Sequence, residues 1–566
     1  MELARRLRYL LQRRRLEREL AQEMEVHREM AGESRPFGST LRWREEAREV
    51  WGWMWIDRLS QDLRFGARLL RRSPVFTIVA VLMLTVGIGV NIAAFGFFDV
   101  MVLRPLPVRD PASLLQFQRR APQNAADNFP YPAVAFYREH ATTLSAVLAL
   151  QFGRLSMDED APALSVHFVT SDYFSDLGAS PLLGRLIDPV RDDAADAESV
   201  VVLDRGFWQR RFGADPSIVG KTIRLNGVPA SVVGVASARF SGLTLGNPDV
   251  WLPLAQQPRF VTGSQLMTDF SGRTSSVMMW GRLRPGLAPA AAESELRTLA
   301  AALHRLQPQD IWEHEELPSE PGGYPTRLIP PMYPILVIVI ALCSLILVVA
   351  CSSLASLLIA RGAARQREMA TRVAIGAGRG RLIRQLLTES LLLASIGSTV
   401  ALLAGYVVLR GLMTWAAAPP WLNPLPDWRV IVFAVGMGVT AALVFGFTPA
   451  LQVARQRTRI GLLRRGLIGG QIAASAVLLI VASLLVRALD RATTTRPGFD
   501  YEHVMTIDPR WGGATPAAAR AHLDALTARL RALPGVVSVS MATNPPLGHR
   551  WTVVNTTING RGVNVT

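Results

Sequence analysis

The sequence predicts an α-helical membrane protein with an α+β extracytoplasmic domain, and three observations carry that prediction. Five apolar runs, near residues 74–98, 332–360, 385–410, 430–454 and 466–486, each reach the roughly 20 residues a helix needs to cross a bilayer. The run 332–360 holds no charge and leads into a basic segment, Arg361–Arg384, where seven arginines (361, 365, 367, 372, 379, 381, 384) face one acid, Glu368. Residues 99–331, between the first two runs, carry mixed strand, turn and helix signals instead.

In chain order, residues 1–73 form a separate piece expected to be cytoplasmic. Residues 2–31 alternate charge sign at helical spacing, with Arg/Glu pairs in reach at i,i+4. Trp43, Trp51, Trp53 and Trp55 suit a membrane interface, where an amphipathic ring keeps its polar tip wet. This polar start is unlike a secretory signal peptide. It reads either as a small solvated helical hairpin or as a partner-binding element.

The first span holds Asn91, expected to hydrogen-bond between helices, with Asp99 at its outer end. Gly87 and Gly89, like Gly436 and Gly438 of the fourth run, are expected to allow close helix packing rather than to act as hinges. Residues 99–331 suffice for one or two folded domains. There, Asn226-Gly227 between two β-rich runs is the strongest short-range hairpin signal, and 291–306 has helical patterning.

The short loops set orientation. Arg64–Arg72 carries four arginines and no acid, the loop after the second run is the basic segment above, and 452–465 carries five arginines and no acid. The loop 411–429 has only Asp427 and Arg429. All three basic segments are cytoplasmic together only with the N-terminus inside, which places 99–331 and 487–566 outside. After the fifth span come an Arg-Pro, an Asp-containing turn, a helix opening at Thr515-Pro516, and a turn and strand within 532–548. These echo the stretch just after the first span, and the echo suggests a duplicated unit whose second copy stops early.

Composition narrows the function classes. The 566 residues are 49% hydrophobic and carry a net charge of +16. The arginines cluster beside apolar runs, which fits membrane topology and not a nucleic-acid groove. Cys343 and Cys351 lie eight residues apart in one apolar run, about 12 Å along a helix and too far for a disulfide. No metal or cofactor is expected, and no pattern of catalytic residues occurs.

Gly220-Lys221-Thr222 looks like the end of a phosphate-binding loop, but Asp215 stands where that loop needs glycine, and a hairpin comes next instead of a helix. Lys221 is the sole lysine, so no other position can supply such a loop. Ionisable residues are nearly absent from the spans, Glu389 marking the start of the third, so no substrate path through the helices has a residue to point to.

Within the basic segment, Gln366–Ile375 is compatible with a helix and Gly376 begins a Gly-Ala-Gly helix end. A short helix there presents Arg367, Glu368 and Arg372 near one another as a handle through which a partner moves the second and third spans. Alternatively, the arginines only fix topology and meet anionic headgroups.

Arg365–Tyr406 closely resembles the signature of FtsX-like, MacB-type permeases of the ABC transporter superfamily. The stretch 84–111 resembles the start of their extracytoplasmic core, 215–235 a strand region of that core, and 445–455 the end of the fourth helix. The N-terminal prefix and the repeat after the fifth span are similar to duplicated acidobacterial permeases. The resemblance divides the chain into a cytoplasmic prefix (1–73), a first span (74–98), a MacB-like core (99–331), an FtsX-like permease domain (332–454, coupling loop 361–384), a fifth span (466–486) and the start of an incomplete second core (487–566).

The family implies a non-catalytic permease subunit in which a separate cytoplasmic ATPase engages Gln366–Ile375, with Glu368 and Arg372 facing it. Neither the fused ATPase of MacB nor the remainder of a second half is found here, so a truncated chain or a completing partner is expected. The implied setting is the bacterial inner membrane, with the lipid bilayer, a homo- or pseudo-dimer and a periplasmic partner, and no nucleic acid. The alternative readings are a signalling or scaffold protein that moves no cargo, and a nonfunctional fragment.

Overall fold

The computed structural model describes residue 22 and residues 54–541 and 554–565, less 158–162, 195, 238–239, 241, 247, 273–275, 327–331, 365–378, 417–421, 423, 455–459, 495–502, 506, 508–515 and 559–560. The chain divides into two compact units. One comprises Met1–Asp99, Ile329–Ala417 and Pro424–Ala492, and the other Val100–Leu328, Ala418–Asn423 and Thr493–Thr566.

Five helices among the described residues are long and apolar enough to cross a membrane: Pro74–Leu103, Tyr333–Leu358, Ile383–Trp415, Trp428–Gly446 and Ile468–Ala492, here spans 1 to 5. The helices that hold spans 2, 3 and 5 run on past these limits, over Tyr333–Ala364, Arg379–Trp415 and Ile460–Thr494. Span 1 starts with Pro74 at its first turn, where a missing N–H costs nothing. It continues through a π-helical turn, Asp99–Leu103. Span 4 starts under Asp427, whose Oδ1 accepts from Arg429 N at 2.9 Å and Val430 N at 3.1 Å.

The faces of span 1 obey helical geometry. Ala80, Leu84, Ile88 and Ile92 are buried, while Val75, Ile78, Leu82 and Val86 are exposed. The buried stripe packs with Leu354 of span 2, Leu393, Ala394 and Ala401 of span 3, and Phe445 of span 4. Phe95 stacks on Phe433 at 4.2 Å between ring centres. Span 5 is almost wholly exposed along its apolar length, and Gln471 Nε2 donates to Ser353 Oγ of span 2 at 2.9 Å.

The second unit is built on strands. They are β1 (Leu114–Phe117), β2 (Arg119–Ala121), β3 (Asn124–Ala126), β4 (Leu144–Leu155), β5 (Leu164–Val169), β6 (Pro181–Gly184) and β7 (Val200–Leu203). The later strands are β8 (Thr222–Leu225), β9 (Val228–Ala236), β10 (Val250–Pro253), β11 (Met278–Leu283), β12 (Ser319–Pro321), β13 (Val554–Ile558) and β14 (Arg561–Val565). Ten of them form one sheet in the order β12-β1-β11-β4-β5-β10-β7-β9-β6, with β8 on β9. β5/β10 and β7/β9 are parallel and the other pairs antiparallel, so the sheet is mixed.

Both faces of this sheet are covered, which explains why its central strands read as unbroken apolar runs. Val147 and Ala149 of β4, with Val201 and Leu203 of β7, join a core that includes Tyr137 and helix Pro289–Leu306. The intervening Leu148, Leu150 and Val202 join another with Tyr173, Phe174, Trp251 and Trp280. The β8–β9 hairpin turns on Asn226 (φ 50°) and Gly227 (φ 81°), the two left-handed residues that a type I′ turn needs.

Several expectations are revised. Helix Met54–Arg72 is not a solvated piece, because Gly66 and Leu70 are buried in the helical unit. Among the described residues nothing packs against Gly436, unlike Gly438, where an added Cβ would strike Ser398 Oγ. Helix Pro516–Arg531 forms as read, but 536–541 makes no strand, since no described residue presents a ladder to it.

Candidate functional site

Span 1 is the element on which the helical unit converges. Gly87 and Gly89 are two residues apart, about 200° around a helix, and so meet different neighbours. A Cβ added at Gly87 falls 2.5 Å from Ala350 Cβ of span 2, whereas one at Gly89 sits 3.7–3.8 Å from Ala401 of span 3. Asn91, 7% exposed, donates from Nδ2 to Gly87 O in its own helix at 2.8 Å and to Cys343 O of span 2 at 3.0 Å. An amide in a low-dielectric setting needs such partners, and this one closes the same seam that Gly87 makes narrow.

At its C-terminal end, span 1 carries Asp99, fully buried and 3.6 Å from Arg429 Nη1 at the start of span 4. The sequence signals this pair only as two lone charges at the edges of apolar runs, 330 positions apart.

At the other end, the helices on either side of residues 365–378 are held by the segment that leads into span 1. Arg384 of span 3 donates from Nε to Asp62 Oδ2 at 2.8 Å. Arg361, near the end of the span 2 helix, donates from Nη2 to Ser73 Oγ at 2.5 Å and lies 4.2 Å over the Phe76 ring. Helix Met54–Arg72 also approaches span 3 at Gly66, where an added Cβ meets Leu392 Cδ1 at 2.8 Å. Residues 64, 68, 71 and 72, all arginine, are exposed on this helix. The residues expected to couple to an ATPase, Arg367, Glu368, Arg372 and Gly376, lie outside the described residues.

In the second unit, charged and polar side chains serve the fold. Arg282 donates to Asp176 and to the Arg109 and Asp110 carbonyls, pinning helix Tyr173–Leu177 and the entry loop to β11. Arg119 and Glu315 form a buried pair under Trp312. Partial burial opposes ionisation of Glu295, but hydrogen bonds from the N–H and hydroxyl groups of Thr142 and Thr143 outweigh it and hold its pKa down to about 2. Burial alone pushes the His167 imidazole down to about 3.

Lys221 lies in an exposed turn, with Nζ 2.8 Å from Ser217 Oγ and 3.4 Å from Asp215 Oδ2, ahead of the β8–β9 hairpin. That arrangement presents no helix N-terminus to a phosphate. Among the described residues no group of His, Cys, Asp and Glu side chains could hold a metal ion. The segments by which the chain enters and leaves this unit are tied together: Thr326 N donates to Met101 O at 3.0 Å and Leu106 N to Gly323 O at 2.8 Å.

A family model described as MacB-like periplasmic core domain matches residues 77–299, and one described as FtsX-like permease C-terminal matches residues 330–458. Among curated relatives, the macrolide export ATP-binding/permease protein MacB of Chromobacterium violaceum is 26% identical over 291 residues, covering 51% of this chain and 42% of its own. That of Salmonella paratyphi A is 24% identical over 324 residues, covering 55% and 44%. The chain thus spans under half the length of these relatives. The periplasmic region of MacB from Actinobacillus actinomycetemcomitans aligns at 18% identity and a TM-score of 0.27, over 35% of this chain and 86% of that one.

Proposed function

We propose that this chain, which belongs to the FtsX/MacB-type permeases of the ABC superfamily, couples a separate cytoplasmic ATPase to its extracytoplasmic domain. Its place in a bacterial inner membrane follows from the family and the five apolar helices. The finer reading puts the N-terminus in the cytoplasm and the ATPase against Gln366–Ile375, with Arg367, Glu368 and Arg372 at the contact and Gly376 ending it. The relatives' name speaks of macrolide export; for this chain we propose a hydrophobic or peptidic cargo handled by the outer domain, and a homo- or pseudo-dimer as the working assembly.

One observation supports coupling above the others. Span 1 feeds the mixed-sheet unit at Val100, and it packs against both helices that flank residues 365–378. A displacement of those helices therefore reaches the covalent stem of the outer domain through tight contacts at Gly87 and Gly397, with no pore required.

The test is Glu368→Lys. Affinity capture of the wild-type chain from its native host should bring down an ABC ATPase whose turnover the chain alters. The variant should lose that capture while keeping its helical content and detergent-extracted yield. Normal capture and normal turnover with Glu368→Lys would falsify the assigned contact. A chain that captures the ATPase but shows no cargo-export defect on deletion would instead be a signalling or scaffold protein.

A further inference from the structure

We propose that helix Met54–Arg72 is a clamp that fastens the ends of spans 2 and 3 to the start of span 1, with Asp62 as its positioning residue. The inference rests on the coupling reading above and deepens it, because the two arginines that the clamp holds, Arg361 and Arg384, bracket residues 365–378 in sequence.

Arginines on this side of the spans are accounted for by topology alone, so each would be expected to reach toward water or headgroups. These two do not. The Asp62 carboxylate is only 13% exposed, and it accepts a charge-assisted bond from Arg384 Nε at 2.8 Å. One turn on, Gly66 lets the helix approach span 3 so closely that a Cβ would strike Leu392, with Glu389 Cα at 3.9 Å. One further turn places Leu70 in the same core as Leu393 and Leu354. Residues 62, 66 and 70 are spaced by i+4 steps, so this contact is one continuous face of the helix.

Just past the end of the helix, the Ser73 hydroxyl takes the Arg361 guanidinium at 2.5 Å. Phe76, one turn into span 1, carries the same guanidinium on its ring at 4.2 Å. The face opposite, with Arg64, Arg68 and Arg71 at i, i+4 and i+7, is exposed. One short amphipathic helix thus gathers three spans. Spans 2 and 3 are each held to the segment that continues into span 1, so a push delivered between them is shared with span 1 and is not absorbed by the two helices spreading apart. The partial exposure of Arg384 keeps this bond adjustable.

The experiment uses the full chain in lipid nanodiscs, with the ATPase that co-purifies with the wild-type protein. Three variants are compared: Asp62→Asn, Asp62→Arg, and the exchanged pair Asp62→Arg/Arg384→Asp. In the absence of ATPase, amide hydrogen exchange over residues 379–390 should quicken by about tenfold in Asp62→Arg and less in Asp62→Asn, and return toward wild type in the exchanged pair. With ATPase, capture should be kept in Asp62→Arg while the chain's effect on turnover falls by about tenfold, again recovered by the exchange.

Unchanged exchange rates in Asp62→Arg overturn the clamp, as does an exchanged pair no better than the single variant. Loss of ATPase capture in Asp62→Arg makes the residue part of the docking contact and likewise overturns the positioning role. If Glu368→Lys is also normal in capture and turnover, the coupling reading fails by itself, while the hydrogen-exchange result still decides the clamp.

Discussion

Replacing Gly87 by alanine should loosen the seam between spans 1 and 2, whereas the same change two residues on should not. The Cβ of Gly87→Ala falls 2.5 Å from Ala350 Cβ, and ordinary contact begins near 3.4 Å, so the helices must part by about 0.9 Å. The Asn91 Nδ2 to Cys343 O bond, 3.0 Å long in the same seam, then stretches to about 3.9 Å and is lost. Overpacking of this kind costs about 1–3 kcal/mol and the lost interhelical hydrogen bond about 0.6 kcal/mol, offset by up to about 1 kcal/mol of helix propensity, for a net loss of about 0.6–2.6 kcal/mol. Gly89→Ala meets Ala401 at 3.7–3.8 Å, an ordinary contact, and gains up to about 1 kcal/mol from helix propensity. Reversible unfolding of the full chain in mixed micelles, tracked by helical signal, should place the two variants on opposite sides of the wild type. Equal shifts, or a neutral Gly87→Ala, would refute the idea that Gly87 sets the separation of spans 1 and 2.

Charge and burial give two further expected outcomes. His167 is neutral when folded because burial holds its pKa near 3 against an ordinary 6.5, so the unfolded chain binds the extra proton between those values. Stability of the mixed-sheet unit should therefore be full above pH 6.5 and fall by about 1.4 kcal/mol per pH unit as the pH drops below it, levelling off near pH 3. His167→Leu should flatten that slope in unfolding monitored through the buried Trp251 and Trp280, and an unchanged slope would assign the pH dependence elsewhere. At the far end of span 1, Arg429→Ala removes the guanidinium 3.6 Å from the fully buried Asp99 and should cost about 2 kcal/mol, less than a fully buried pair because Arg429 is a third exposed. Adding Asp99→Asn should recover part of that loss in a double-mutant cycle, and additive losses would show that the two side chains do not interact.

Features that depend on neighbouring residues were legible in the sequence. The β8–β9 hairpin follows from Asn226-Gly227, because only those residue types enter left-handed backbone cheaply at two adjacent positions. Helix Pro289–Leu306 follows from its apolar spacing, and the five spanning helices from the length of their runs. The signature read at Arg365–Tyr406 lies within the FtsX-like match, and the stretch 84–111 lies within the MacB-like core match.

The site was legible only in outline. An asparagine in an apolar span announces that a partner exists, but nothing local says that the partner is the carbonyl of Cys343. Gly87, Gly89 and Gly436 look alike as letters, yet one is jammed, one is in easy contact and one meets nothing among the described residues. Asp62 and Arg384 stand 322 positions apart, and each alone reads as a solvated surface charge.

By itself, the sequence determined that this chain crosses a bilayer, that its short loops are asymmetric in arginine, and that a mixed α/β unit comes after the first span. Those properties are sums over adjacent residues: hydrocarbon length, local charge and turn chemistry. Only the tertiary structure decided the order β12-β1-β11-β4 in the sheet, the meeting of Asp99 with Arg429, and the gathering of three spans by Asp62, Gly66 and Ser73. The reason is physical. Which distant groups meet depends on how closely two backbones approach, and that distance is set by every side chain between them.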